Sequence, residues 1–136
     1  MFKVAYRRVG DVDPFVYFAC PTGDGALPLG TAAVLTSGTL AKCGATAKPT
    51  HIIMGPPRED GTCPAIPVTE NVVFETTSTA TVASSVVGQA VTLATDAATV
   101  TATTTSGVFK VLETDGATTN STVRGYFVDP AAAPAG

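Results

Sequence analysis

Apolar and hydroxyl-bearing residues alternate along much of the second half of this chain. Ala90-Val91-Thr92-Leu93-Ala94-Thr95 and Thr99-Val100-Thr101-Ala102-Thr103 are the clearest cases. A period of two sends one set of side chains to a buried face and the other to water, which predicts half-buried strands over 90–95 and 99–105. Further short β-like runs occupy 31–35, 39–43, 51–54, 65–68, 72–77, 79–83, 108–113 and 121–128. Thr and Val are β-branched and fit the pleat, so their abundance favours strands over helices.

Turn signals separate the runs. Ser37-Gly38, Ser106-Gly107 and Asp115-Gly116 occupy hairpin positions, Lys48-Pro49 marks another connection, and 55–61 (Gly-Pro-Pro-Arg-Glu-Asp-Gly) predicts a long exposed loop. No window of ten residues escapes interruption by Val, Thr, Gly or Pro, so no long helix is expected. Short strands at roughly ten-residue spacing predict an all-β fold, a compact barrel or sandwich of short antiparallel strands. A six-residue frame, Gly-x-Ala-x-x-Leu, occurs at 30–35 and again at 88–93; in a chain of this composition such a match arises readily by chance.

The first 25 residues differ from the rest. They hold Phe2, Tyr6, Phe15, Tyr17 and Phe18 with Arg7, Arg8, Asp11 and Asp13, and they end in the breaker cluster Pro21-Thr22-Gly23-Asp24-Gly25. They read as an N-terminal arm or first hairpin (1–25), followed by the β-domain (26–128) and an extended C-terminal tail (129–136) rich in Ala and Pro.

Composition narrows the function classes. Charged residues make up 14% of the 136, against roughly a quarter in an average soluble domain. The net charge is −3 and the basic residues are scattered, which leaves no field to gather phosphates or anionic lipid. Neither a nucleic-acid nor a membrane partner is expected. No run approaches a membrane span, and residues 1–6 lack the apolar core of a signal peptide. Three widely spaced cysteines, an odd number, predict reduced thiols and folding in a cytosol.

Candidate chemistry is sparse. His51 is the only histidine and opens an apolar run, as an ordinary strand-start residue does. Cys20, Cys43, Cys63 and His51 have the count for a tetrahedral zinc site, but no two lie a few residues apart as structural zinc ligands usually do. The carboxylate pairs Asp11/Asp13 and Glu59/Asp60 fall in loops, where neighbours repel and face water. Phosphate-cradling and calcium-loop patterns are absent. The expectation is a protein with no catalytic residues, no metal and no cofactor, one that works by binding.

The frame Leu29-Gly30-Thr31-Ala32-Ala33-Val34-Leu35-Thr36-Ser37-Gly38-Thr39-Leu40, followed by Lys42-Cys43-Gly44 and Lys48-Pro49-Thr50, resembles the capsid-decoration (cement) proteins of tailed bacteriophages. The stretches 87–93 and 108–112 are similar in texture to the same group, so the resemblance spans about residues 27–128. It rests on pattern and composition; the Phe/Tyr-rich start and the 55–61 loop do not map onto it. The resemblance implies a structural virion protein, made in the host bacterial cytoplasm, that binds the outer surface of an assembled head and bridges major capsid protein subunits. It also allows for a homotrimer or another homo-oligomer on the shell.

Within that reading the candidate capsid contacts are Phe2, Tyr6, Arg7, Arg8, Phe15, Tyr17 and Phe18, as aromatic anchors for coat-protein pockets or as a strand added to a coat-protein sheet. The same aromatics equally suit this domain's own core. An alternative of a different class is a glycan-binding or adhesion module displayed on a virion or cell surface, using the loops at 55–61 and 115–121. Sugar sites favour a stacked aromatic, which neither loop carries.

Overall fold

The structure, a computed structural model, describes residues 1–8 and 15–130. It is all-β, with ten strands: β1 (Lys3–Arg7), β2 (Val16–Ala19), β3 (Ala32–Thr36), β4 (Thr39–Lys42), β5 (His51–Ile53), β6 (Thr62–Pro67), β7 (Val72–Thr77), β8 (Ala90–Val91), β9 (Phe109–Thr114) and β10 (Thr122–Phe127). Single 3-10 turns occupy Gly23–Gly25 and Ser84–Val86.

Two sheets form. One is open and antiparallel, in the order β1-β7-β10-β9-β8; the other closes into a small barrel, β2-β4-β3-β5-β6, with β6 returning to β2. All barrel pairings are antiparallel except that of β2 with β4, which is parallel and has a single register position, Ala19 opposite Thr39.

Alternation along three barrel strands splits their side chains between two cores. Ala33, Ile53, Cys63 and Ala65 fill the barrel with Leu27 and Leu40, while Ala32, Ile52 and Ile66 face the open sheet. There they meet Val72, Phe74, Val111, Val123 and a tight group of phenylalanines. Phe127 touches Phe2, Phe74 and Phe109 with ring centroids 5.0–5.5 Å apart, tilted or edge-on as aromatic quadrupoles prefer.

Four expectations are corrected. The described residues among the first 25 do not stand apart as an arm or hairpin: β1 lies on the edge of the open sheet against β7, whereas β2 belongs to the barrel against β6. Burial of Phe2 among the phenylalanines makes this segment part of the fold. Cys20 and Cys63 form a disulfide, their Cα atoms 6.0 Å apart, where three reduced thiols were expected. Sequence spacing of 43 hides that pair; the β2–β6 register, with Phe18 opposite Cys63, brings the sulfurs together.

The runs at 79–83 and 99–105 are not strands. Hydroxyl groups and an aspartate take several of the backbone amides there, alongside main-chain bonds such as Thr92 N–H to Thr103 O and Thr101 N–H to Thr92 O. Val82 N–H donates to Ser121 Oγ at 2.9 Å, Thr103 N–H to Thr101 Oγ1 at 3.0 Å, and Thr99 N–H to Asp96 Oδ1 at 3.1 Å. Only isolated bridges remain, from Val100 to Ser78 and Leu93. Ser37-Gly38 does form the predicted two-residue hairpin, both residues at positive φ. Asp115-Gly116 instead opens a longer loop, in which Asp115 Oδ1 accepts from the Ala117 and Thr122 amides. Residues 131–136 of the expected tail, and Asp11 and Asp13, lie outside the described residues.

Candidate interaction surface

The seven residues singled out from the sequence separate into three environments. Phe2 is 1% exposed, at the centre of the phenylalanine cluster, and so offers nothing to a partner. Phe18 turns into the barrel mouth, where its ring meets His51 edge-on at 5.2 Å. Arg7 is half-buried opposite Val72. The others are exposed, on two different sheets.

On the outer face of the open sheet, Tyr6 stands opposite Val73, and the Arg8 guanidinium lies 4.3 Å from the centre of the Tyr126 ring. Val73 points outward by strand alternation and is nevertheless fully buried. A row of alternating charge runs alongside. Lys3 Nζ lies 2.8 Å from Glu75, Arg124 Nε 3.0 Å from the same carboxylate, and Arg124 Nη1 3.6 Å from Glu113. These cross-strand partners on β1, β7, β10 and β9 sit in register, which puts the opposite charges side by side. Hydrogen bonds from Lys3 and Arg124 hold the Glu75 carboxyl below its ordinary range.

On the barrel, alternation of β2 sends Val16 and Phe18 inward and leaves Phe15, Tyr17 and Ala19 outside. Phe15 and Tyr17 are 50% and 48% exposed, unusually open for aromatic side chains. Arg58, from the loop between β5 and β6, lays its guanidinium 4.6 Å from the centre of the Tyr17 ring, a cation–π contact. The loop is braced locally. Asp60 Oδ1 accepts from the Thr62 hydroxyl and amide at 2.6 and 3.0 Å, bonds that hold its carboxyl below the usual range. Arg58 N–H donates to Thr62 O at 2.7 Å. An open cleft of about 630 Å³ runs between this loop and Thr22, Gly23 and Ala26.

Sequence reasoning missed Arg58 and Tyr126 as members of these patches. Arg58 lies in a loop that was already expected to be exposed, so the available signal was a cation next to two prolines. Nothing local points Tyr126 toward Arg8, because the sheet order β1-β7-β10 makes that approach.

The groups weighed for chemistry are otherwise engaged. The disulfide removes Cys20 and Cys63 from the zinc constellation. Burial pushes the remaining thiol, Cys43, up to about 11, and its Sγ donates to Ala47 O at 3.0 Å. Burial lowers the His51 pKa. Its Nδ1 lies 2.9 Å from Thr50 Oγ1, a hydroxyl that already accepts the Leu35 amide at 2.8 Å. Among the described residues no three His, Cys, Asp or Glu side chains gather as metal ligands, and no helix is long and apolar enough to cross a membrane.

Compared with known proteins, the chain matches no family model, no curated protein and no solved structure.

Proposed function

We propose that this chain is a structural protein of a tailed-bacteriophage head, which binds the outer surface of the assembled capsid and bridges neighbouring major capsid protein subunits. The observation that carries this reading is the pair of aromatic–arginine patches, Tyr6 and Arg8 with the half-buried Tyr126 on one sheet and Phe15/Tyr17/Arg58 on the other. A bridging protein needs two contact surfaces on one rigid body, and aromatic and arginine side chains are the residue types that dominate binding hot spots. Two sheets sharing a phenylalanine core give the rigidity that keeps the entropy cost of docking low. The sequence pattern over 27–128 supplies the partner, and by the same resemblance the chain acts on the shell as a homotrimer or another homo-oligomer.

Bridging also multiplies modest contacts, since the second contact forms at high effective concentration once the first is made. The test is cosedimentation of the purified chain with heads assembled from the coat protein encoded beside it, followed by electron microscopy. Added density across subunit boundaries is the expected result. Heads that pellet without the chain would overturn the reading.

One placement favours the glycan-binding alternative: Tyr17 sits beside the 55–61 loop, giving that loop the aromatic it lacks in sequence. Arg58 already covers a face of that ring, however, which leaves less of it for a sugar. A glycan array on which the chain binds nothing would dispose of this alternative.

A further inference from the structure

Among the described residues, the backbone of β2 has an open side. Its register with β6 places Tyr17 opposite Pro64, which has no amide hydrogen, and the Pro64 carbonyl accepts from Met54 N–H at 2.8 Å on the far side of β6. Pro64 therefore turns its polar groups away from β2. In an antiparallel pair, hydrogen-bonded and non-hydrogen-bonded positions alternate, so Tyr17–Pro64 is a non-bonded pair, and the Tyr17 N–H and C=O point away from β6.

On that side the barrel offers them nothing. β2 reaches β4 only at Ala19 opposite Thr39, the first residue of β4 after the Ser37-Gly38 turn. The parallel direction carries Val16–Phe18 past the tip of that hairpin. No described residue supplies a backbone partner to Tyr17 there. Exposed strand edges are commonly blunted by a lysine, a proline or a bulge, and β2 has none of these. Its two outward-facing residues near the open side are instead Phe15 and Tyr17, with Arg58 stacked beside them.

We propose that β2 is a strand-docking edge, and that an extended segment of the capsid subunit adds to the barrel beside Phe15–Tyr17. The inference rests on the capsid reading above and specifies the contact made by one of its two patches. An open N–H and C=O pair on an extended strand is complementary to another extended backbone. In an antiparallel addition one incoming residue exchanges both hydrogen bonds with Tyr17. That residue and the one two positions further along then lie against the Tyr17 and Phe15 rings, while a carboxylate on the incoming strand meets Arg58.

Two substitutions separate backbone docking from side-chain docking. Tyr17→Ala removes the ring and keeps the amide. Tyr17→Pro removes both, at a position whose amide this fold does not use and after a residue, Val16, that is already extended. Capsid binding by cosedimentation is expected to weaken about tenfold for Tyr17→Ala and about tenfold further for Tyr17→Pro, with the unfolding midpoint of both variants close to that of the parent. Equal binding by two folded variants would overturn the docking edge and leave the capsid reading intact.

Should Tyr17→Pro fail to fold, amide hydrogen exchange on the unaltered chain decides instead. The Tyr17 amide is expected to exchange quickly in the free protein while those of Val16 and Phe18 are protected, and to become protected on heads. Unchanged exchange of Tyr17 in a chain that is bound to heads would overturn the edge. Failure of the unaltered chain to bind heads at all would overturn the capsid reading, and the coat-strand partner with it.

Discussion

Cys20, just beyond the end of β2, is joined to Cys63 on β6 across the seam where the barrel closes. The covalent link spans 43 positions of sequence and encloses β3, β4 and β5. It also reinforces a strand that reaches its other neighbour, β4, at one position only.

Reduction should therefore be felt by the whole barrel. Loop-closure entropy for a loop of this length corresponds to about 4 kcal/mol of stability. Thiol titration of the denatured chain is expected to find one free cysteine, Cys43, before reduction and three after it. Denaturant unfolding with and without dithiothreitol measures the stability difference. A count of three in the air-oxidised chain would show that the link does not form.

Glu75 is the hub of the surface charge row, paired with both Lys3 and Arg124. Glu75→Gln is expected to cost about 1 kcal/mol, less in high salt, because ion pairs at a surface are weak and screened. Its pKa is held down in the folded state, so this contribution is complete above the ordinary glutamate value of 4.5 and disappears as the pH falls through the lower folded value. Urea midpoints measured from pH 7 to pH 3 should fall less steeply for the variant than for the parent.

Phe2, just before β1, and Tyr6 within it have opposite roles. Phe2→Ala should destabilise by about 3–5 kcal/mol, the usual range for removing a large core aromatic. Tyr6→Ala, at an exposed position, should stay within about 0.5 kcal/mol of the parent in unfolding while weakening attachment to heads. Thermal unfolding and cosedimentation on the same preparations would expose a reversed pattern.

Gly125 lies in β10 beside a register irregularity with β9, and a Cβ there would be driven into the backbone carbonyl of Lys110. The obstacle is backbone of the neighbouring strand, which cannot rotate aside. Gly125→Ala is expected to abolish cooperative unfolding or to leave the chain insoluble. A normal unfolding transition for this variant would show that β9 shifts to admit the methyl group.

Strand class is legible in the local sequence. Short runs rich in β-branched and aromatic residues at 72–77, 108–113 and 121–128, together with the Ser37-Gly38 turn, specify strands and a hairpin from local rules, because strand-favouring composition and positive-φ turn residues are properties of the chain alone. Local rules failed at 79–83 and 99–105, where Ser121 Oγ takes the Val82 amide and Thr101 Oγ1 the Thr103 amide, and only isolated bridges form.

Tertiary structure decided the rest. Whether Phe2 anchors a partner or a core depends on which sheet receives β1, and Cys20 finds Cys63 only through the β2–β6 register. Tyr17 has an open backbone because Pro64 happens to be opposite it and the β3–β4 hairpin ends short of it. Each of these relations joins residues far apart in sequence. Pairing of distant strands is set by how the whole chain buries its apolar faces, and no short window of sequence contains that choice.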